Sequence, residues 1–149
     1  MSVPPALVVD ASVAAKWYLN DEDGTEKATR LLTLYRAGRT NLAAPAFIRY
    51  EIANVLRSAL LRGRIDEERA RVQLSLFLEF DIHARSDADS LVVAAQQIAL
   101  YVGASMYDAT YIAYAELRGF DLVTDDRRLS ELALAYGISA YLLSELDLS

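Results

Sequence analysis

Two short apolar runs, each closed by an acid and followed at once by a helix-forming stretch, constrain this chain most. The first is Ala6-Leu-Val-Val-Asp10 and the second is Phe120-Asp-Leu-Val-Thr-Asp-Asp126. A short apolar run without strict alternation suits a strand buried on both faces, as in a parallel sheet. Between the two runs lie several stretches with apolar residues at helical spacing, joined by short turns. That alternation predicts an α/β fold built on a parallel sheet.

The elements can be placed in more detail. Beyond the two runs, strands are expected at Leu42-Ala-Ala, at 80–84 and at 139–143. Ser12 is the expected N-cap of a short helix over 13–19. Thr25 to Ala37 carries Ala28, Leu31, Leu32 and Tyr35 on one face, with Gly38 as its stop. Pro45 opens a helix that runs to about Leu61. Asp66 opens another, with Val72, Leu76 and Phe80 as its apolar stripe. Asp87 or Asp89 is expected to cap the next, which stops at Gly103. Ser105 to Arg118 and Asp126 to Tyr136 complete the set, each followed by a glycine.

Targeting signals are missing from this pattern. Met1-Ser-Val-Pro-Pro has neither the basic segment nor the apolar core of a signal peptide. Ser90 to Tyr107 is the longest uncharged run and has the length of a membrane helix. Gln96, Gln97, Gly103 and Ser105 interrupt it, and Leu91, Ala94, Ala95, Ile98 and Val102 fall on one face. A soluble, cytoplasmic chain is expected. At 149 residues it is expected to form a single domain over 1–149.

Composition narrows the chemistry. There is no cysteine and one histidine, His83. Zinc-thiolate sites, cysteine nucleophiles and any site needing two histidines are excluded. His83 reads as a strand-edge or loop residue, not a general base. The 21 acids exceed the 15 basic residues, for a net charge of -6. Such an excess argues at first against a nucleic-acid partner.

Most of the acids fall at positions that look solvated, among them Glu22, Glu26, Glu67, Glu79, Glu116, Glu131 and Glu145. Four do not. Asp10 and Asp126 end strands, where ligand sites form in parallel sheets. Asp125 crowds Asp126, which is unfavourable without a cation or a proton. Asp108 shares a helix stripe with Ile112, Ala115 and Gly119, the face expected to pack on the sheet. Glu51 borders the stripe of Ile48, Ile52, Val55, Leu56 and Ala59. Each has a plainer alternative. Asp10 and Asp126 could be caps, Asp108 a first-turn acid, and Glu51 a rim residue paired with Arg49 or Arg62. Together, two strand ends and two helix faces can point into one crevice. Inward carboxylates without sulfur or paired imidazole suit a hard cation such as Mg²⁺ or Mn²⁺. Such ions support hydrolysis of phosphodiesters.

Four blocks then match a known family in its order. They are Val8-Val-Asp-Ala-Ser-Val-Ala-Ala-Lys-Trp17, Pro45-Ala-Phe-Ile-Arg-Tyr-Glu-Ile-Ala-Asn-Val-Leu-Arg57, Tyr107-Asp-Ala-Thr-Tyr-Ile-Ala-Tyr-Ala115 and Leu122-Val-Thr-Asp-Asp-Arg-Arg-Leu129. In these blocks the chain resembles the PIN-domain ribonucleases, and most closely the VapC toxins of bacterial toxin–antitoxin pairs. The resemblance implies a three-layer α/β/α domain with a parallel sheet of four or five short strands. It implies an endoribonuclease that needs Mg²⁺ or Mn²⁺ and cuts single-stranded or structured RNA. Asp10 and Asp108 would hold the metal most directly, with Glu51 and Asp126 completing the acidic cluster. Ser12 and Thr124 would supply supporting hydroxyls, Asn54 would follow Glu51, and Asp125 would fill the variable slot before Asp126. The resemblance further implies a homodimer and a VapB-like antitoxin whose tail lies over the active site. A PIN nuclease of RNA maturation and a catalytically silent PIN-like interaction module are the competing readings.

RNA must still approach an acidic protein. Arg127, Arg128, Lys16 and Arg62 are the candidate backbone contacts, beside Arg36, Arg39, Arg49, Arg57 and Arg64. Tyr107, Tyr111 and Tyr114 share one helix and read as packing or dimer contacts in preference to base-stacking platforms.

Overall fold

The computed structural model describes residues 2–21 and 23–149, so Met1 and the solvated reading of Glu22 lie outside the described residues. Four strands form one parallel sheet: β1 (Ala6–Val9), β2 (Asn41–Ala43), β3 (Asp121–Thr124) and β4 (Ala140–Leu142). Their order across the sheet is β2-β1-β3-β4. Among the described residues seven α-helices surround it: α1 (Ala11–Ala14), α2 (Thr25–Arg36), α3 (Ile48–Leu61), α4 (Glu67–Glu79), α5 (Asp89–Val102), α6 (Met106–Arg118) and α7 (Arg127–Tyr136). The expected α/β architecture is the observed one.

The strand order positions everything that follows. From β1 the chain first steps outward to β2, then crosses back to β3 and continues to β4. Right-handed crossovers therefore place α2 on one face and α6 and α7 on the other. The direction of winding reverses between β1 and β3. In such sheets a crevice opens at that reversal, beyond the carboxyl ends of the strands. Leu7 pairs with Asp121, Val8 with Leu122 and Val9 with Val123. The next residues along, Asp10 and Thr124, are thus brought side by side at the mouth of the crevice.

The central strands are apolar on both faces because both faces are covered. Leu7, Val8, Val9, Leu122 and Val123 are fully buried. Helix α6 buries Tyr111, Ile112, Ala113, Tyr114 and Ala115 in succession, which fits a helix packed against β1, β3 and α5. The uncharged run noted above is not one rod. It breaks after Gly103, and α5 and α6 meet at 114°. Among the described residues no single helix is long and apolar enough to cross a membrane.

Several local expectations are corrected. The strand at 80–84 shrinks to one parallel bridge, His83 with Ala44. The Ala44 amide donates to the Ile82 carbonyl and the Ala84 amide donates to the Ala44 carbonyl. The chain leaves α4 and turns at 80–82, so only His83 reaches the edge of the sheet. His83 is buried there, its ring 5.4 Å from that of Phe77 and its nitrogens beside the Leu78 and Ala84 carbonyls.

In α4 the expected stripe is corrected: Phe80 packs against Trp17 and Tyr35 as expected, but Val72 and Leu76 do not join it. Phe77 is buried with Ala70 and Leu74 packed nearby, whereas Val72 and Leu76 remain half exposed. The helix holds more apolar residues than one face can bury, so spacing alone did not fix its phase. Ser12 is not a cap. Asp10 caps α1, its Oδ1 accepting the Val13 amide, because its extended backbone is the last outside the helix. That helix is also shorter than expected, giving way to a tighter 3₁₀ turn over Ala15–Trp17. Asp87 does not cap the helix it precedes, whose N-cap is Ala88. Its two carboxylate oxygens instead accept the amides of Ala46 (2.7 Å) and Phe47 (3.0 Å). Proline 45 has no amide to satisfy, so this acid, distant in sequence, serves the two free donors just before α3.

Candidate active site

A pocket of about 340 Å³ opens at the carboxyl ends of β1 and β3. Asp10, Glu51, Asp108 and Asp126 all line it, as do Ser12, Lys16, Tyr111 and Asp125. The four acids come from a strand end, α3, the first turn of α6 and the N-cap of α7. Nothing local in sequence joins them. The sheet order and the packing of α3 and α6 do.

Asp10 is the most deeply set, at 5% exposure. Ser12 Oγ donates to its Oδ1 and Thr124 Oγ1 donates to its Oδ2, both at 2.6 Å. Each hydroxyl also accepts a backbone amide: Ser12 from Asp125 at 2.9 Å, Thr124 from Asp126 at 3.0 Å. The two hydroxyls therefore stitch the end of β1 to the loop after β3. With the Val13 amide on Oδ1, they fix the Asp10 carboxylate and leave one acceptor site on Oδ2. Burial pushes the Asp10 carboxyl up to about 6, against these hydrogen bonds, which favour its charged form; nearby Glu51 pushes it further up.

Glu51 is half-buried, and Tyr111 donates its hydroxyl to Oε1 at 2.6 Å. Burial raises its carboxyl above the usual range, the tyrosine opposes this, and the charge of Asp108 adds to it. Asp108 is raised mainly by burial and then by Asp126, while Arg128 acts in the opposite sense. Ser105 caps α6 by accepting the Asp108 amide, which sets that first turn. Burial also raises the Tyr111 hydroxyl well above its ordinary range, and Glu51 and Asp10 add to the effect. Three carboxylates thus sit where their negative forms are mutually disfavoured. That arrangement stores a demand for a positive charge.

Asp126 differs from them. Its Oδ1 accepts the amides of Arg128 (2.9 Å) and Leu129 (3.4 Å), so it caps α7 and lines the pocket at once. The cap reading and the pocket reading both hold, as they do for Asp10. The rim-pairing alternative for Glu51 does not, since its hydrogen-bond partner is Tyr111 and Arg49 turns to the Ala46 carbonyl.

The donors are all carboxylate oxygens, which suits a hard divalent cation. Among the described residues no three acidic or histidine side chains already close round a point as a ready cage. Mg²⁺ does not require one, because it keeps several waters and binds through one or two carboxylates. The residues present fit such an ion.

The supporting residues separate. Thr124 lies fully buried beneath Asp10. Asn54 is exposed and lines a neighbouring hollow, not the acidic pocket. Lys16, expected as a candidate RNA contact, is 5% exposed. Its Nζ donates to the Asp23 carbonyl at 2.7 Å and pairs with Asp125 Oδ2 at 3.2 Å. The charge is therefore held at the pocket wall, and the variable-slot Asp125 serves as its counterion. Arg127 and Arg128 stand exposed on the first turn of α7, with Arg128 reaching the Gly103 carbonyl at 3.4 Å. Arg62 ends α3 and lies outside the pocket lining.

Sequence reasoning missed two contributors. Tyr111 is three residues after Asp108 on the same helix face, a spacing that could have suggested it. The Lys16–Asp125 pair joins residues distant in sequence, and no local signal marked it. Of the three tyrosines read as packing or dimer contacts, Tyr111 and Tyr114 are buried within the chain, whereas Tyr107 is 66% exposed and does not pack in the core.

Known proteins share this fold. The PIN domain family matches residues 7–134. Ribonuclease VapC3 of Pyrobaculum aerophilum is 36% identical over 130 residues, covering 84% of this chain and 92% of that relative. PAE2754 from the same organism superposes with a TM-score of 0.68 at 24% identity, over 93% of this chain and 84% of its own. VapBC2 from Rickettsia felis, solved with a DNA fragment from its promoter, gives 0.65 at 10% identity, over 92% and 98%. At those identities the two structures speak for the fold. The family match over most of the chain and the 36% relative together establish that this chain belongs to the PIN-domain family, among the VapC proteins.

Proposed function

We propose that this chain is a metal-dependent endoribonuclease acting on single-stranded or structured RNA, the toxin half of a cytoplasmic toxin–antitoxin pair. One observation carries the reading: four acids far apart in sequence line one pocket at the reversal point of the sheet. The ribonuclease name of the 36% identical relative supports the substrate class.

In this reading Asp10 and Asp108 hold Mg²⁺ or Mn²⁺ most directly, with Glu51 and Asp126 contributing. When bound, the ion neutralises charge on the phosphodiester and lowers the pKa of water. The chain's own groups do the rest. Ser12 and Thr124 orient the Asp10 carboxylate, Tyr111 orients Glu51, and the Asp126 cap keeps α7 against the pocket rim. Lys16 places a positive charge on the wall that a phosphate would face. Arg127 and Arg128 serve as backbone contacts at the mouth, and Arg62 belongs to a more distant footprint.

A homodimer and a VapB-like antitoxin complete the proposal. Exposed apolar side chains on α5 (Val92, Val93, Leu100, Tyr101) and on α3 and α4 (Leu61, Val72, Leu76) offer surface for both contacts. The test is growth on expression of the wild type and of Asp108→Ala, with RNA cleavage by the purified proteins. Growth arrest, relieved by the product of the neighbouring reading frame and lost in Asp108→Ala, is expected. Cleavage should require Mg²⁺ or Mn²⁺. Full cleavage in EDTA would remove the metal from the mechanism.

A further inference from the structure

Beside the acidic pocket lies a second hollow of about 390 Å³, and the two share a wall, since Glu51 and Val55 line both. The rest of the second hollow is Phe47, Tyr50, Asn54 and Tyr107. Its chemistry is unlike that of its neighbour. It offers aromatic rings and one amide.

The rings form a continuous wall. Tyr111, whose hydroxyl holds Glu51, has its ring 5.0 Å from that of Phe47. Phe47 in turn stacks on Tyr107, with centroids 6.0 Å apart and planes at 28°. Asp87 fixes the Phe47 backbone through its amide, so the stack is anchored from beneath. The outer ring nevertheless remains open: Tyr107 is 66% exposed and Tyr50 is 76% exposed. Rings this exposed contribute little to the core of their own chain. Asn54, one helical turn after Tyr50, presents a donor and an acceptor together.

We propose that this hollow is a nucleobase subsite. The base flanking the cleaved phosphate stacks on Tyr107, which Phe47 backs, and its edge meets Asn54. The inference rests on reading the acidic pocket as a nuclease site and adds how that site chooses where to cut. Three observations favour a base over a peptide or a second copy of the chain. The hollow borders the acidic wall through Glu51, so its occupant is next to the reacting phosphate. The pair Phe47–Tyr107 is a rigid stack with a free face, which every base can use. The lining includes no lysine or arginine, so it suits the uncharged part of a nucleotide.

The test uses full-length protein carrying Asp108→Asn to prevent cleavage, and short single-stranded RNAs with 2-aminopurine at each position in turn. Binding should quench the fluorescence at one position. Tyr107→Ala should abolish that quench and weaken binding roughly 5- to 150-fold, the range for one stacked base. Tyr107→Trp should restore both. In the active protein, Tyr107→Ala should cut randomised RNA less efficiently, in line with its weaker binding, and the base preference beside the cut should flatten. Unchanged quench and cut preference in Tyr107→Ala would overturn the proposal. So would light scattering that shows Tyr107→Ala dissociating a dimer while the cut preference persists, which would assign the face to a second copy. Wild type that cuts no RNA with Mg²⁺ or Mn²⁺ would instead overturn the nuclease reading, and this subsite with it.

Discussion

Asp10 and Asp126 obey the same local grammar, a short apolar strand, an acid, then a helix that the acid caps. Their surroundings differ sharply. Asp10 follows its strand directly and is buried under two hydroxyls, with its carboxyl pushed up to about 6. Asp126 comes two residues after β3, and it is exposed. The sheet register makes the difference. With Val9 opposite Val123, the place beside Asp10 goes to Thr124, and Asp126 is carried outward along the loop. One acid is a desolvated carboxylate at the pocket floor. The other is a helix cap that also faces the pocket. A motif therefore assigns residue types to a site, while the register decides how much each is desolvated.

The comparison breaks if the two acids prove equivalent. Asp10→Asn should lower RNA cleavage by on the order of 10³-fold or more, since it removes the most desolvated carboxylate of the cluster. Asp126→Asn should lower it by about 10- to 100-fold, because an amide still caps α7 while one pocket carboxylate is lost. Single-turnover rates at saturating Mg²⁺, with circular dichroism to confirm folding, measure both. Equal losses would mean that desolvation does not rank the ligands.

A smaller effect sharpens the same contrast. Burial pushes the Asp10 carboxyl from its ordinary 3.8 up to about 6 in the folded chain, so folding favours its protonated form. Stability from this group is present at low pH and is lost as pH rises through about 6. Glu51 and Asp108 are raised as well and act in the same direction. Surface Asp21, held low by Arg64, opposes them weakly. In EDTA, the unfolding temperature should therefore fall by about 5–10 °C between about pH 4.5 and about pH 7.5. Asp10→Asn should remove most of that fall, and Asp126→Asn should remove only the small part that acts through Asp108. A wild-type unfolding temperature that rises over this interval would contradict the ranking.

The fold was legible where burial is two-sided. The apolar runs at β1 and β3 have no other stable place, and glycines 103, 119 and 137 each end a helix in the left-handed conformation. It was illegible where a choice depends on tertiary neighbours. Asp87 looked like the cap of its own helix, yet it serves the amides of Ala46 and Phe47. Val72 and Leu76 looked like core, yet Phe77 took that place. The four acids were legible by pattern. Their partners were less so. Lys16 was a candidate RNA contact, and its pairing with Asp125 was not legible because it exists only once the loop after β3 lies against α1. Tyr107 was grouped with Tyr111 and Tyr114 as a packing or dimer contact, because helical spacing does not tell which of three tyrosines faces solvent. The net charge of -6 likewise misled at first, since it counted the four pocket acids as surface.

The central claim is that these carboxylates are held together to take up a divalent cation. Mn²⁺ binding followed by electron paramagnetic resonance, at about pH 7.5 on metal-free protein, tests it without any substrate. One or two Mn²⁺ per chain are expected in the wild type, displaced by excess Mg²⁺, with binding abolished in Asp10→Asn and weakened in Asp126→Asn. Undiminished Mn²⁺ binding by the folded Asp10→Asn variant, or none by the wild type, would contradict it.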